Sequence, residues 1–261
     1  MTPKVLVLTG YGINCDIETQ HAFNLAGSQA ERIHLTDLLN GKVKLADFNI
    51  LALPGGFSFG DDIGSGKVLA NMIRYNLGDQ LQEFIEQGKL ILGICNGFQA
   101  MVKMGILPAF DGDYSTQEVT LTFNDSGRFE NRWVHLNANT VSKCIFTRGI
   151  KNIYLPVRHG EGKFVVKNPQ VLERLKKNNH IVFRYVDIDG NPAGYPQDPN
   201  GSIDNIAAIC DETGRVFGMM PHPEAFQHKT NHPAWTREEL PEEGAGMAIF
   251  RNAVDYAKKN L

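Results

Sequence analysis

Leu90-Ile91-Leu92-Gly93-Ile94-Cys95-Asn96-Gly97-Phe98-Gln99 is the stretch on which the reading of this 261-residue chain turns. Its first five residues are almost all large aliphatics, a run short enough for a strand buried on both faces. A helical stretch then runs to Met104, with Gly105 placed just beyond its end as a C-cap. Between strand and helix, Gly93 and Gly97 bracket Cys95. That is the G-x-nucleophile-x-G elbow, with Cys in place of Ser. The glycines permit a close-packed turn that lifts one side chain clear of the sheet. The helix N-terminus behind it favours thiolate over thiol, and the Asn96 N–H is offered to a developing oxyanion. An isolated cysteine would read as a buried core residue; the bracketing glycines reverse that.

Outward from the elbow, apolar runs alternate with helical ones through the first hundred residues, the pattern of βαβ units. Val5–Leu8, Ile33–Leu35 and Ile50–Leu53 read as strands. Asp16 reads as the N-cap of a helix ending near Gly27, and Val68–Tyr75 and Gln80–Gln87 as two helical stretches. Residues 110–150 look like strands and loops, with Trp133, His135 and Leu136 extended. Val171–Lys177 reads as a short helix, His180–Val186 as a strand and 187–205 as an ordered loop. Ile206–Cys210 and Val216–Met220 read as a hairpin, 227–243 as a polar excursion, and Ala245–Lys259 as a final amphipathic helix. The expected fold is α/β, an open, mostly parallel sheet flanked by helices in the flavodoxin-like manner. No internal repeat, low-complexity tract or linker divides the chain, so residues 1–261 are expected to form one domain.

Composition narrows the function. Lys plus Arg number 26 against 29 Asp plus Glu, a formal net charge of −3, so there is no global electrostatic reason to bind nucleic acid or an anionic membrane. No window is long and apolar enough for a membrane span, and Met1–Lys4 runs straight into a strand without a secretory pattern. Cys15, Cys95, Cys144 and Cys210 are scattered, with no paired or zinc-like spacing. They are expected to be thiols in a reducing cytosol, with no metal site, and apart from Cys95 to matter little.

A thiolate nucleophile needs a base and a group that orients the base. His222 lies in Gly218-Met219-Met220-Pro221-His222-Pro223-Glu224, at the end of an apolar run. C-terminal strand ends form the active edge of parallel α/β sheets, so His222 can meet Cys95 there. Glu224, two residues on in extended backbone, would face the same way as His222. Pro54-Gly55-Gly56-Phe57-Ser58 also follows a strand, and its glycines let backbone N–H groups approach a ligand. Three other patterns fail. Gly60–Lys67 resembles a phosphate loop but has Asp61 where the first glycine belongs and Val68 where Ser or Thr belongs. Gly10-Tyr11-Gly12 lacks the third glycine of a dinucleotide fingerprint, since position 15 is Cys. Arg158-His159-Gly160-Glu161 offers a rival base but too few ligands for a metal.

These residues resemble a known family. Pro54–Asp61 and Gly93–Gln99 are similar to the triad-type (class I) glutamine amidotransferases, and most of all to the glutaminase subunits of phosphoribosylformylglycinamidine synthases. Gly12–Asp16, Arg128–His135, Arg158–Phe164, Tyr195–Ser202 and Gly218–Glu224 extend the match over most of the chain, while 60–67 and 227–243 depart from it. The resemblance implies Cys95 as nucleophile, His222 as base and Glu224 as its partner. It implies Gly56 and Asn96 as oxyanion donors, and Gly55 and Gln99 at the substrate. L-glutamine would be the substrate, and the ammonia released would pass to a larger ATP-using synthetase, with ATP and Mg²⁺ on that partner and a small accessory subunit beside it. The rivals are another amidotransferase glutaminase, a cysteine hydrolase on the same fold, and a non-enzymatic scaffold. An intact Cys95, His222 and Glu224 argue against the scaffold.

Overall fold

The apolar runs Val5–Leu8, Ile50–Leu53, Leu90–Ile94 and Val216–Met219 are shielded on both faces, the condition that selects strands inside a helix-covered sheet. The computed structural model describes residues 1–261. In chain order these are β1 (Lys4–Thr9), α1 (Asp16–Leu25), β2 (Gln29–His34), α2 (Leu35–Leu39), β3 (Ile50–Leu53), α3 (Lys67–Glu86), β4 (Leu90–Ile94) and α4 (Asn96–Met104). There follow β5 (Val119–Thr122), β6 (Glu130–Ala138), β7 (Asn152–His159), β8 (Lys163–Val166), α5 (Pro169–Lys177), β9 (Ile181–Val186), β10 (Ile206–Cys210), β11 (Val216–Met219) and α6 (Met247–Asn260).

Nine strands form one sheet in the order β2-β1-β3-β4-β11-β10-β9-β6-β7. Its first five strands are mutually parallel; the rest pair antiparallel. The parallel half has the flavodoxin-like arrangement, with a switch point between β1 and β3 where a crevice opens at the C-terminal strand ends. Leu53 pairs with Gly93 and Ile94 with Met219, so β3, β4 and β11 end almost level at that edge. A separate ribbon of β5 and β8 covers α4, with Phe98 stacked on Phe164 at 6.3 Å. That cover explains why Asn96–Val102 is buried on every side. Helices α1 and α6 pack together through an edge-on Phe23–Phe250 contact. No helix is long and apolar enough to cross a membrane.

The structure departs from the sequence reading at several elements. The two helical stretches over 68–87 are one helix, α3, which passes through Gly78. Leu69, Ile73, Leu77 and Leu81 keep one stripe buried across that point, enough to offset the roughly 1 kcal/mol a helical glycine costs. Cys15, not Asp16, occupies the N-cap of α1, and the Asp16 carboxylate pairs with Arg32 at 3.0 Å. Leu35 opens α2 rather than closing a strand. β7 and β8 carry Arg158, His159 and Phe164 in strands the pattern did not reveal, because Pro156 and the glycines 160 and 162 interrupt it. The polar segment 227–243 is closed at its base by a His228–Glu243 bridge. It sends His232 into an aromatic cluster with Trp133, Tyr154 and Phe226.

Candidate active site

Cys95 sits in the turn from β4 to α4 with φ 50° and ψ −106°, a backbone state that a non-glycine residue holds only when its surroundings force it. The surroundings are tight. A Cβ on Gly97 would lie 1.9 Å from the Leu53 carbonyl oxygen, so only glycine lets α4 begin this close to β3. The Cys95 N–H donates to the Met219 carbonyl at 2.8 Å, tying the elbow to β11. Its thiol faces the Arg158 carbonyl at 3.5 Å.

His222 follows β11 by three residues, and its N–H is anchored on the Pro156 carbonyl at 2.8 Å. His222 Nδ1 and Glu224 Oε1 are 2.5 Å apart, both side chains buried. Extended backbone would have set the two on one face; in the structure they meet instead across a 3-10 turn, Pro223–Ala225. Burial disfavours the imidazolium, yet the Glu224 carboxylate and Cys95 beside it lift His222 well above the usual histidine range. His222 Nε2 and Glu224 Oε2 are buried without a hydrogen-bond partner.

Gly55 is where these groups converge. A Cβ there would lie 2.8 Å from His222 Cε1, 3.3 Å from Cys15 Sγ and 3.4 Å from Cys95 Cβ. Gly55→Ala should therefore fold and still lose roughly 10²-fold or more in kcat, because about 1 Å of misplacement of a reacting group costs that much. Parallel measurements of kcat and Tm check this; an unchanged kcat would mean the imidazole has room to give way.

Two N–H groups border the elbow. Asn96 is the first residue of α4, so its N–H has no acceptor within the helix. The Gly56 N–H makes no hydrogen bond within the protein. Gly56 has φ 146°, with its Cα side pressed on the strand-like segment after β1: a Cβ would meet the Gly12 carbonyl at 2.6 Å. That segment is laced to the loop after β3, with Phe57 N–H donating to Gly12 at 2.8 Å and Phe59 N–H to Tyr11 at 2.7 Å.

The Asn96 side chain organises the surrounding loop. It accepts from the Ser58 N–H at 3.2 Å and donates to Asp61 and Gln99, each at 3.1 Å. Gln99 in turn donates to the Glu161 carbonyl at 2.6 Å. Gln99, expected at the substrate, thus has both ends of its amide engaged inside the protein, where it braces Asn96 against the 160–162 turn. The phosphate-loop lookalike is the same loop. Asp61 and Glu161 face one another across it, and burial raises the Asp61 carboxyl; two acidic groups make it a poor phosphate cradle.

His159 is a scaffold residue. Its Nδ1 lies 3.1 Å from Asn124 Oδ1 and its Nε2 3.5 Å from Asn200 Nδ2, and burial pushes it down to about 3. Because the folded state keeps His159 neutral while the unfolded chain takes a proton near pH 6.5, stability falls as pH drops from 6.5 toward 3. The slope is about 1.4 kcal/mol per pH unit. Urea unfolding between pH 7 and 5 should show His159→Gln with a shallower acid loss by that amount; equal slopes would show His159 to be protonated when folded.

Cys15 is the residue the sequence reading undervalued. It lies against His222 and Glu224, with its sulfur and one ligand atom from each of them all within 4.8 Å of one another. The signal that marked it was its place in the Gly12–Asp16 block. Beyond the triad a cavity of about 670 Å³ opens among Glu18, His21, Arg158, Glu224 and Gln227. A separate cleft of about 450 Å³, between Arg128, Tyr195 and Asp198, includes no triad member.

A family model for the CobB/CobQ-like glutamine amidotransferase domain matches residues 2–257. The chain belongs to this family. Similar proteins include the phosphoribosylformylglycinamidine synthase subunit PurQ of Dehalococcoides mccartyi, 51% identical over 98% of this chain and 98% of that protein. The subunit of the same name from Methanococcus maripaludis is 46% identical over 99% of each. Among solved structures, PurLQS from Thermotoga maritima aligns with a TM-score of 0.73 at 30% identity, covering 98% of this chain and 99% of that one. A glutamine amidotransferase from Thermotoga maritima, at 13% identity and TM-score 0.51, covers 99% of this chain and 93% of that one and shares the fold. The fold is therefore common to chains of widely different sequence.

Proposed function

We propose that this chain is the glutaminase subunit of a phosphoribosylformylglycinamidine synthase, with Cys95, His222 and Glu224 as its catalytic triad. The observation that carries the reading is the convergence on Gly55 of a strained-turn cysteine and a buried, carboxylate-bound imidazole. His222 takes the Cys95 proton, and the thiolate attacks the side-chain carboxamide carbon of L-glutamine. The Gly56 and Asn96 N–H groups stabilise the tetrahedral oxyanion. His222 returns its proton to the departing nitrogen as ammonia leaves. Water, with His222 again taking a proton, then hydrolyses the glutamyl thioester to glutamate. Ammonia passes to a larger synthetase, which uses it and ATP to convert phosphoribosylformylglycinamide to phosphoribosylformylglycinamidine. ATP and Mg²⁺ belong to that partner, and a small accessory subunit completes the assembly.

Glutamine hydrolysis assayed with the chain alone, then with the synthetase and its nucleotide, tests the reading. Release of glutamate and ammonia coupled to amidine formation is expected; hydrolysis of peptides or esters with indifference to glutamine would sink it. The rim beside the site supports docking there. Ile63 stands 79% exposed in the loop that Asp61 ties to Asn96, and Phe57, earlier in that loop, is exposed with its ring 6.1 Å from that of the exposed Phe129. A partner pressing on Ile63 shifts the loop that carries Gly56, and one misplaced oxyanion donor costs roughly 10²–10³ in rate. The kcat for glutamine should accordingly rise by about that factor on docking, and Ile63→Asp should reduce the rise. Equal kcat in the free and docked states would eliminate this gating.

A further inference from the structure

We propose that Cys144 and Cys210 are a reversible dithiol–disulfide pair, oxidised by an acidic low-molecular-weight disulfide of the glutathione class, which fastens the β6–β7 loop to the β10–β11 hairpin. Both cysteines are buried and free, and glutamine hydrolysis uses neither. Cys210 closes β10 and pairs with Phe217 near the start of β11, at the opposite end of that hairpin from His222. Cys144 leads into the 3-10 turn Ile145–Thr147, ahead of β7. A glycine brings the two segments together. Gly214, in the hairpin turn, has φ 73°, and a Cβ there would lie 2.1 Å from the Lys143 carbonyl oxygen. The Gly214 carbonyl in turn accepts from the Ile145 N–H at 3.0 Å. The Ser142 hydroxyl bridges the pair: its Oγ accepts from the Cys144 N–H at 3.3 Å and lies 3.5 Å from Cys210 Sγ. The two thiols adjoin, and contact with Cys144, reinforced by burial, raises the Cys210 thiol well above its usual range.

Cys144 is the thiol that a solute can reach. With Ser142, Thr147, Arg148 and Lys151 it lines a cavity of about 320 Å³, of which Cys210 forms no part. Arg148 and Lys151 are exposed and no carboxylate lines the cavity, so the field there favours an anion. Oxidised glutathione, which carries more carboxylates than amines, suits it. The Cys144 thiolate attacks one sulfur of the small disulfide; that S–S bond breaks, and one thiol leaves with the proton Cys144 gave up. Cys210 then attacks the Cys144 sulfur, and the second small thiol leaves with the Cys210 proton. Two protein S–H groups become one S–S bond while the small disulfide is reduced to two thiols. The new bond joins positions 66 apart in the chain and removes that loop's freedom from the unfolded state.

The full chain is incubated with oxidised glutathione, alkylated, digested without reductant and mapped by mass spectrometry. A Cys144–Cys210 linkage is expected, with a rise in Tm of roughly 5–10 °C that dithiothreitol reverses. Cys210→Ser should accumulate the Cys144–glutathione adduct and Cys144→Ser should form neither product, circular dichroism confirming that each is folded. The parent map stands as a test even where a variant does not fold. Absence of the linkage in the folded parent overturns the proposal, whether Cys144 stays unmodified, stops at the glutathione adduct or only Cys15 and Cys95 react. A linkage that leaves Tm unchanged refutes the fastening role. Uncharged hydroxyethyl disulfide should form the linkage several-fold more slowly, and equal rates would refute selection of an acidic oxidant by Arg148 and Lys151.

Discussion

Cys95→Ala should abolish glutamine-dependent synthesis by the complex and leave ammonia-dependent synthesis intact. The reason is local. Cys95 is the only thiol on the elbow, held at φ 50° between β4 and the N-terminus of α4, and alanine fits the same backbone without a nucleophile. Loss of a nucleophile from a working triad costs roughly 10⁶-fold in kcat, so residual glutamine hydrolysis should fall below ordinary detection. The synthetase, supplied with ammonium salts, bypasses this site. Cys144→Ala and Cys210→Ala remove buried thiols outside it and should leave kcat near the parent value. Normal glutamine hydrolysis by Cys95→Ala would refute the nucleophile assignment.

His222→Ala should lower kcat by roughly 10²–10⁴-fold, the usual contribution of a positioned proton carrier. Glu224→Gln should cost less, because its role is to orient the imidazole through the 2.5 Å contact at Nδ1 and to favour the imidazolium. Its signature lies in the pH profile. The reactive thiolate–imidazolium pair is lost at high pH when the imidazolium gives up its proton. Burial disfavours that charge and the Glu224 carboxylate restores it, so removing the carboxylate should move the alkaline limb of kcat/KM to lower pH. His159→Ala should be milder than either, since His159 is bound to Asn124 and Asn200 rather than to Cys95. A greater loss from His159 than from His222, or an unmoved alkaline limb in Glu224→Gln, would overturn these roles.

Elements whose partners lie within a few residues were legible. The run Leu90–Ile94, the glycines around Cys95 and the Gly105 cap encode strand, elbow and helix locally, and the structure contains all three. The β10–β11 hairpin was equally readable, with Ala208 paired to Met219 around a tight turn. Elements whose existence depends on distant packing were not. α3 survives Gly78 only because its leucine stripe lies on the sheet, and β8 exists as a strand because β5 pairs with it.

The candidate site divides along the same line. Sequence alone determined which side chains can carry the chemistry: a cysteine between glycines, a histidine at a strand end and a carboxylate two residues on are features of short windows. Only the tertiary structure decided which of them share a volume. The order β2-β1-β3-β4-β11 sets the ends of β1, β3, β4 and β11 along one edge, which puts Cys15 against His222 although more than two hundred residues separate them. The same packing turns Gln99 inward to Glu161 and encloses His159 between two asparagines. The physical reason is range: backbone preference and hydrophobic period act over about ten residues, whereas the neighbours of a buried polar group are set by strand order and register.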